Sequence, residues 1–258
     1  MPSWSRPVHP PLAPYVVSLV AYDHPDSPPT HHGLPSPTVT VIWSFDDPVD
    51  CGWLDDPARD DYWLLVGGLH TRPSLIETHG RQRGVQLSLT PAGAARIFGL
   101  PPGALSETIV HGSDLGWGDS AYAALADAPW PERLDRAEAL LLSRLARAAG
   151  PAISPEVAEA WRVIQTARGE VRVADLAEHV GWSRRHLSAR FSTELGVTPK
   201  AAAQVARFTH ARVLAGGGMP LAEVAYAAGY ADQPHLNREW RRLAGLSPLA
   251  TLADGAYD

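Results

Sequence analysis

An internal repeat in the last third of the chain sets the strongest constraint on its fold. Residues 173–191 read VADLAEHVGWSRRHLSARF, and residues 221–240 read LAEVAYAAGYADQPHLNREW. Each copy has a short apolar segment, a glycine, and then a polar segment in which a leucine and an aromatic residue lie four positions apart. Such spacing places one face of each segment inward. The repeat therefore predicts an all-α domain with two helix-turn-helix units.

In the first copy, Gly181 is suited to the left-handed turn and Ser183 to the N-cap of the second helix. Leu187 and Phe191 are expected to face the core, which turns the opposite side of that helix toward solvent. An exposed helix start rich in guanidinium groups suits the DNA major groove, where arginine can bond a guanine edge at two atoms. The outward residues are Arg184, Arg185, Ser188 and Ala189.

The second copy follows the same plan. Gly229 is expected at the turn, Asp232 at the N-cap, and Leu236 and Trp240 in the core. Glutamine and asparagine can pair with adenine at two atoms, as arginine does with guanine. The outward residues of this helix are Gln233, Pro234, Asn237 and Arg238.

The segment from Val171 to Leu252 resembles the DNA-binding domain of the AraC/XylS transcription regulators. The resemblance rests on four motifs in order: LAEHVGWSRRHLSARF, GVTPK, RFTHARVLA and LAEVAYAAGYADQPHLNREWRRLAGLSPL. It implies helix-turn-helix units at 171–194 and 219–243, joined by a linker helix at 199–215, with one recognition helix each in successive major-groove faces. It also implies double-stranded DNA and RNA polymerase as partners.

The resemblance implies base contacts from the outward residues of both second helices, but two positions depart from the family. Pro234 stands where the family often has serine, so a hydroxyl donor is lost. Ala189 is too short for more than contact with a thymine methyl group. We therefore expect Arg185 and Arg238 to dominate base recognition.

Charge divides the chain into unequal parts. Residues 1–153 carry 10 Lys+Arg against 17 Asp+Glu, a net charge of −7, whereas residues 154–258 carry 12 against 11, a net of +1. The two parts are therefore expected to do different jobs. Cations of the second part are candidates for phosphate contacts, which position a protein on DNA without reading its sequence. These candidates are Arg162, Lys200, Arg207, Arg212, Arg241 and Arg242.

The first part reads as β-rich, with runs of β-branched and aromatic residues between proline-rich connectors. The predicted strands are Tyr15–Tyr22, Thr38–Phe45, Tyr62–Leu69, Ser74–Thr78 and Gly84–Leu89, and the predicted helices are Pro91–Phe98, Ser113–Ala126 and Glu132–Ala149. Short strands with frequent turns favour a sandwich or barrel, and the family resemblance implies a cupin-like barrel that senses a ligand or dimerises. The fold class is thus α+β and multidomain: a β-rich domain at 1–150, a boundary at Gly150-Pro151, and an all-α domain at 154–258.

The predicted function is a sequence-specific DNA-binding transcription regulator tuned by a small effector. The alternative is a ligand-independent or partner-dependent regulator whose N-terminal domain is purely structural. Large rings in the first part either line an effector pocket, since such pockets are mostly apolar and aromatic, or pack in the core. These rings are Tyr15, Trp43, Trp53, Trp63 and Trp117.

Other functions are not expected. The spacing of His31, His32, His70, His79 and His111 does not fit the usual cupin metal pattern, so no metal or cofactor is predicted. Cys51 lies among aspartates that would raise its pKa, and no convergent catalytic set indicates an enzyme. There is neither a signal-peptide pattern nor an apolar run long enough to span a membrane, which predicts a cytoplasmic protein. The Leu134, Leu141 and Leu145 edge either forms a homodimer or packs on the barrel.

Overall fold

The computed structural model describes residues 3–147 and 153–253. The N-terminal part forms two antiparallel sheets, with strand orders β1-β2-β9-β4-β7-β10 and β3-β8-β5-β6. The strands are β1 (Ser3–Ser5), β2 (Val16–His24), β3 (Thr30–Gly33), β4 (Val39–Phe45), β5 (Val49–Trp53), β6 (Arg59–Tyr62), β7 (Leu64–Gly67), β8 (Ser74–Glu77), β9 (Gln82–Leu89) and β10 (Ile109–His111).

The β-rich character of this part is confirmed, but the expected cupin-like barrel is not closed. Within residues 3–147, each sheet ends on edge strands that do not pair with the other sheet. Strands β1 and β10 have three residues each, and β6 reads RDDY. Very short or charged edge strands do not extend a sheet, which explains why these edges stay open.

The segment predicted as one strand, Tyr62–Leu69, is two. Tyr62 pairs with Val49 in the four-stranded sheet, whereas Leu64 pairs with Trp43 in the six-stranded sheet. Trp63 lies between them with 45% of its surface exposed, and its carbonyl accepts a hydrogen bond from Ser44 N at 2.9 Å. The chain therefore passes from one sheet to the other at this residue.

The other four predicted strands, now β2, β4, β8 and β9, are confirmed to within two residues at each end. Strands β1, β3, β5 and β10 were not predicted, and of β6 only Tyr62 was. They are three to five residues long and rich in Ser, His, Asp and Gly, which are poor strand formers on their own. Hydrogen bonding to longer neighbouring strands stabilises these short strands, which their own β-propensity would not.

Three helices accompany the sheets: α1 (Pro91–Phe98), α2 (Asp119–Ala126) and α3 (Arg133–Arg147). Helix α1 has the predicted bounds, because Thr90 caps its start and Gly99, at φ 72°, ends it. The predicted helix Ser113–Ala126 is shorter, since its first turn is a separate 3₁₀ turn at Gly112–Leu115. The end of the predicted helix Glu132–Ala149 lies outside the described residues.

Helix α3 packs on the protein's own sheets. Leu134, Ala137 and Leu141 are buried in the same core as the six-stranded sheet, and Leu145 lies partly buried against it. The sequence left open whether this edge forms a homodimer or covers the barrel. Its burial favours the second alternative, because the leucines are already in contact with the fold they belong to.

The second part is all-α, as predicted. Its helices are α4 (Pro155–Thr166), α5 (Val173–His179), α6 (Arg184–Leu195), α7 (Pro199–Gly216), α8 (Leu221–Ala227), α9 (Gln233–Ala244) and α10 (Pro248–Ala253). Helix α10 was not predicted. The boundary proposed at Gly150-Pro151 lies outside the described residues. No helix within 3–147 and 153–253 combines the length and apolarity that crossing a bilayer requires.

Two of the predicted caps are present. Ser183 Oγ accepts from His186 N at 3.2 Å, and Asp232 Oδ1 accepts from His235 N at 2.6 Å. Ser154, the residue before helix α4, does not cap that helix with its side chain, because its hydroxyl donates to Glu194 Oε1 at 3.0 Å. This bond joins the start of α4 to the end of α6.

Two hydrophobic cores divide the molecule unevenly. One continuous core runs from the six-stranded sheet through α4, α5 and α6 to the first half of α7. A separate core lies among the second half of α7, α8 and α9. Close contact fixes the first unit on the β-rich part, because a Cβ added at Gly196 would lie 2.2 Å from Ser106 Cβ. The first helix-turn-helix unit thus shares its core with the N-terminal part. The second has a core of its own, and Leu34 of the N-terminal part packs against the edge of that core.

Candidate nucleic-acid interface

Helix α6 presents one buried and one exposed face. Leu187, Phe191 and Leu195 are fully buried, so the residues between them turn toward solvent. Of the predicted base-contacting set, Arg184, Arg185 and Ala189 are exposed and Ser188 is half-buried. Both guanidinium groups lie in the first turn, directly after the Ser183 cap. This places cations at the end of the helix that enters the major groove in helix-turn-helix proteins.

Helix α9 is built alike. Leu236, Trp240 and Leu243 are fully buried, while Pro234 and Arg238 are exposed and Gln233 and Asn237 are half-buried. Asn237 Oδ1 is buried and has no hydrogen-bond partner among the described residues. Because a two-atom contact with adenine needs the amide oxygen as well as the nitrogen, Asn237 must change rotamer to make it.

The predicted phosphate contacts fall into two groups. Lys200, Arg241 and Arg242 are exposed, the latter two in the last turn of α9. Arg162 is exposed as well, but its Nε and Nη2 each donate to Glu159 at 2.7 Å. Hydrogen bonds from Arg162 and from His179 lower the pKa of Glu159 to about 2. A phosphate contact from Arg162 would therefore compete with its ion pair to Glu159.

The remaining two cations point into the protein. Arg207 is 19% exposed, and its Nε donates to Glu239 Oε1 at 3.4 Å. Arg212 lies on the same helix, α7, and lines a cavity of the N-terminal part, with its guanidinium 5.7 Å from the Phe208 ring centre. These positions favour roles inside the molecule over the predicted phosphate contacts.

Close contacts hold the two units together around α7 and the loop after α4. A Cβ added at Gly169, in that loop, would lie 2.0 Å from the Ala203 carbonyl on α7. One added at Gly229, the turn of the second unit, would lie 2.7 Å from Glu170 Cγ. Both glycines have positive φ, so they supply the turn as well as the space. The spacing of α6 and α9 is therefore set by packing along α7 and against the loop after α4.

A cavity of about 560 Å³ lies between the two sheets. Of the five rings predicted for an effector pocket, only Trp53 lines it. Trp43 and Trp117 are fully buried and pack on each other at 5.1 Å, while Trp63 sits at the exposed corner between the sheets. Tyr15 precedes β2, and its carbonyl accepts from Thr90 N at 2.9 Å beside helix α1. These four rings therefore do not line this cavity, because large rings here fill the core or the rim.

Strand register gives the cavity a polar row on the six-stranded sheet. Ser18 pairs with Ser88, Ser88 with Thr40, and Thr40 with Gly67, so three hydroxyl residues cross neighbouring strands side by side. All four line the cavity. Apolar side chains supply much of the rest of the wall, including Val20, Ile42, Leu65 and Ile76.

Helix α7 closes one side of the cavity with Thr209 and Arg212. Thr209 Oγ1 is buried without a hydrogen-bond partner among the described residues. Arg212 carries the one permanent charge among the described lining residues. Burial lowers the pKa of His24 and His70, which also line it, and this favours their neutral forms. The cavity is therefore mostly neutral, with one cation supplied by the helical part.

Cys51 also lines the cavity, and its thiol is buried. Burial raises the pKa of Cys51 to about 11, and the neighbouring Asp50 contributes least. The expected direction is confirmed, but burial causes it rather than the aspartates. Within 3–147 and 153–253, no three His, Cys, Asp or Glu side chains come together in a way that would hold a metal ion.

Comparison with known families divides the chain in the same way. Residues 176–254 match a family described as a helix-turn-helix domain, and residues 6–111 match a domain of unknown function, DUF6597. The uncharacterized HTH-type transcriptional regulator YbfI of Bacillus subtilis strain 168 is 33% identical over 66 residues, which are 26% of this chain and 24% of that protein. The matched segment thus spans about a quarter of that relative.

Solved structures of ToxT from Vibrio cholerae are similar over nearly the whole chain. ToxT bound to an unsaturated fatty acid aligns with a TM-score of 0.57 and 11% identity over 96% of each chain. ToxT bound to (E)-4-(8-methylnaphthalen-1-yl)but-3-enoic acid aligns with a TM-score of 0.54 and 12% identity, over 91% of this chain and 97% of that one. At this identity the likeness establishes a shared two-domain fold.

Proposed function

We propose that this chain, whose residues 176–254 match a helix-turn-helix domain family, is a sequence-specific DNA-binding transcription regulator of the AraC type whose N-terminal cavity takes a small effector. RNA polymerase contact stays a prediction from the resemblance, and homodimer formation and a cytoplasmic location stay predictions from the sequence.

One observation supports DNA binding above all others. Two helices of equal length, α6 and α9, each begin with a capped turn, bury a leucine and an aromatic residue, and expose an arginine on the opposite side. Their spacing is set by packing along α7 and against the loop after α4. Two such helices read two segments of one duplex, because one helix fills only one stretch of major groove.

Selection of bound fragments from random DNA, followed by footprinting, tests this proposal. We expect two short conserved boxes about one helical turn, roughly 10 base pairs, apart on the same face of the duplex. If selection enriches no sequence over the starting pool, the proposed function is wrong.

A surface cation should contribute to affinity without contributing to specificity. Arg242→Ala is expected to weaken binding to selected and scrambled DNA by the same factor, because a phosphate contact carries no base information. The slope of log K against log salt concentration should fall by about 0.9, the value for one lost phosphate contact. Fluorescence anisotropy from 50 to 200 mM salt measures both. Arg96→Ala, an exposed arginine on α1, is the matched control and should leave the slope unchanged.

The cavity's chemistry supports an effector with an apolar body and an anionic group. Its wall is largely apolar with a row of hydroxyls, and Arg212 is its permanent charge. The two ToxT structures hold carboxylic acids, an unsaturated fatty acid and an aryl-butenoic acid. We therefore propose an amphiphilic carboxylate as the effector class.

Alkylation of Cys51, the chain's single cysteine, measures whether the cavity is occupied, because its thiol lines the cavity. Burial raises the pKa of Cys51 to about 11, so the thiol is mostly protonated at pH 9 and iodoacetamide reacts slowly. Decanoate should slow alkylation further and raise the melting temperature, because a ligand of the folded state stabilises it. Decanol, which has the same chain without charge, should do less, and Arg212→Gln should remove the difference between them.

These measurements test recognition of the anion and binding of an amphiphile separately. Equal effects of decanoate and decanol on the unmodified protein would contradict recognition of an anion. No effect of either probe on melting or alkylation would contradict an amphiphilic effector and favour the alternative of a purely structural N-terminal domain. Neither result bears on DNA binding.

A further inference from the structure

A charged cluster lies inside the second helix-turn-helix unit, behind its recognition helix. Glu239 of α9 is only 6% exposed. Its Oε2 accepts from Gln204 Nε2 at 2.9 Å, and its Oε1 accepts from Arg207 Nε at 3.4 Å. Both donors belong to α7. The cluster thus bonds the recognition helix to the helix that connects the two units.

Arg207 extends this connection to the turn that precedes α9. Its guanidinium carbon lies 5.0 Å from the centre of the Tyr230 ring, and Tyr230 directly follows the turn glycine Gly229. Arg207 therefore contacts α9 through Glu239 and the turn through Tyr230. A single side chain of α7 thus contacts both α9 itself and the turn that leads into it.

The first unit has a different residue at the matching position. In the repeat, Phe191 corresponds to Trp240, so Arg190 corresponds to Glu239. Arg190 is exposed and pairs with Glu194 of its own helix at 2.8 Å. The first unit shares the large core of the N-terminal part, whereas the second unit packs around a smaller core of its own.

Burying an ion pair rarely adds net stability, since desolvation of both charges offsets their attraction. Such a pair instead fixes the relative orientation of two helices, because its hydrogen bonds form in only one arrangement of them. Glu239 is next to Arg238 and two residues from Asn237, both predicted to contact bases. A rotation of α9 on α7 would therefore move those two side chains away from the same bases.

We propose that Glu239 and Arg207 are positioning residues, which fix the orientation of α9 and so determine recognition of the second DNA box. The inference rests on the proposed DNA-binding function. It assigns Arg207 a role other than the phosphate contact that the sequence predicted.

Binding of Glu239→Gln to three duplexes tests the inference: the selected operator, the operator with box 1 scrambled, and the operator with box 2 scrambled. The boxes are assigned by footprinting of Arg185→Ala and Arg238→Ala. We expect Glu239→Gln to lose about tenfold in affinity for the intact operator, the effect of one good base contact. The loss should disappear when box 2 is scrambled. Glu223→Gln, an exposed residue of the same unit, is the matched control and should bind as the wild type does.

A second variant separates positioning from stability. Arg207→Met combined with Glu239→Leu removes both charges together, which is often neutral for stability. We expect its melting temperature to be no lower than that of Glu239→Gln, while its selectivity at box 2 stays relaxed. If the double variant regains box 2 recognition along with stability, or if Glu239→Gln reads box 2 normally, the inference is overturned. Failure of the wild type to select any sequence would instead overturn the proposed function.

Discussion

Replacing Arg185 and Arg238 together with alanine is expected to lower affinity for the selected operator by about 30-fold to 10⁴-fold, or about 2–6 kcal/mol. Each arginine is exposed on its recognition helix, on the side opposite the buried leucine and aromatic residues. A two-atom contact between arginine and guanine contributes about 1–3 kcal/mol of discrimination, and such losses add when the positions are well separated.

The single variants make this result specific. Arg185→Ala and Arg238→Ala should each relax one base position, in different boxes, while nonspecific binding changes little. Repeating the DNA selection with each variant shows which position is lost. Because both side chains are exposed, the melting temperature should stay near that of the wild type. An affinity of the double variant within twofold of wild type would show that the recognition helices have been misassigned.

The helical part was predictable because its signals are local. Gly181, Ser183, Gly229 and Asp232 mark the turns and caps of both units, and the structure places each of them as expected. Helix α10 has a local start signal, since Ser247 Oγ accepts from Ala250 N at 3.3 Å and Pro248 follows, but its six residues are too few to show a helical period. A tertiary contact holds it in place: Thr251 is buried and accepts a hydrogen bond from Trp240 Nε1 at 2.9 Å. The sequence of Pro248–Ala253 alone does not predict that contact.

The cavity was poorly predicted because ring size does not reveal which face of a strand a residue occupies. Trp43 and Val41 are on the buried face of β4, whereas Thr40 and Ile42 face the cavity. The usable signal was the alternation of small hydroxyl residues with large apolar ones, as in Thr38-Val39-Thr40-Val41. Alternation of this kind places the hydroxyls on one face of the sheet. That face is half-buried, which indicates a polar interior space rather than solvent.

Arg207 shows why phosphate contacts are difficult to select from sequence. From sequence, every arginine of a DNA-binding segment is a candidate for phosphate contact, because charge is visible and burial is not. The partner that withdraws Arg207 from the surface, Glu239, lies 32 residues away. Only the packing of α9 on α7 brings them together. Spacing within each unit predicts its helices, but not the contacts between α7 and α9.

Trp240→Ala should produce the largest loss of stability, and a local one. The indole is fully buried, meets Phe208 edge-to-face at 5.2 Å, and donates to Thr251 Oγ1. Truncating such a residue costs about 3–5 kcal/mol. Because Trp240 belongs to the separate core of the second unit, we expect hydrogen exchange to accelerate in α8, α9 and α10 while the six-stranded sheet keeps its protection.

Phe191→Ala is the matched comparison, since Phe191 is the equivalent residue of the first unit and is also fully buried. Its core continues into the N-terminal sheets. Exchange should therefore accelerate in the sheets as well as in α4–α6, and binding to both DNA boxes should fall. Trp240→Ala should instead keep residual binding to box 1. If the two variants give the same exchange pattern, the two cores unfold as one cooperative unit. An effector bound between the sheets would then act on both recognition helices together rather than chiefly through α7.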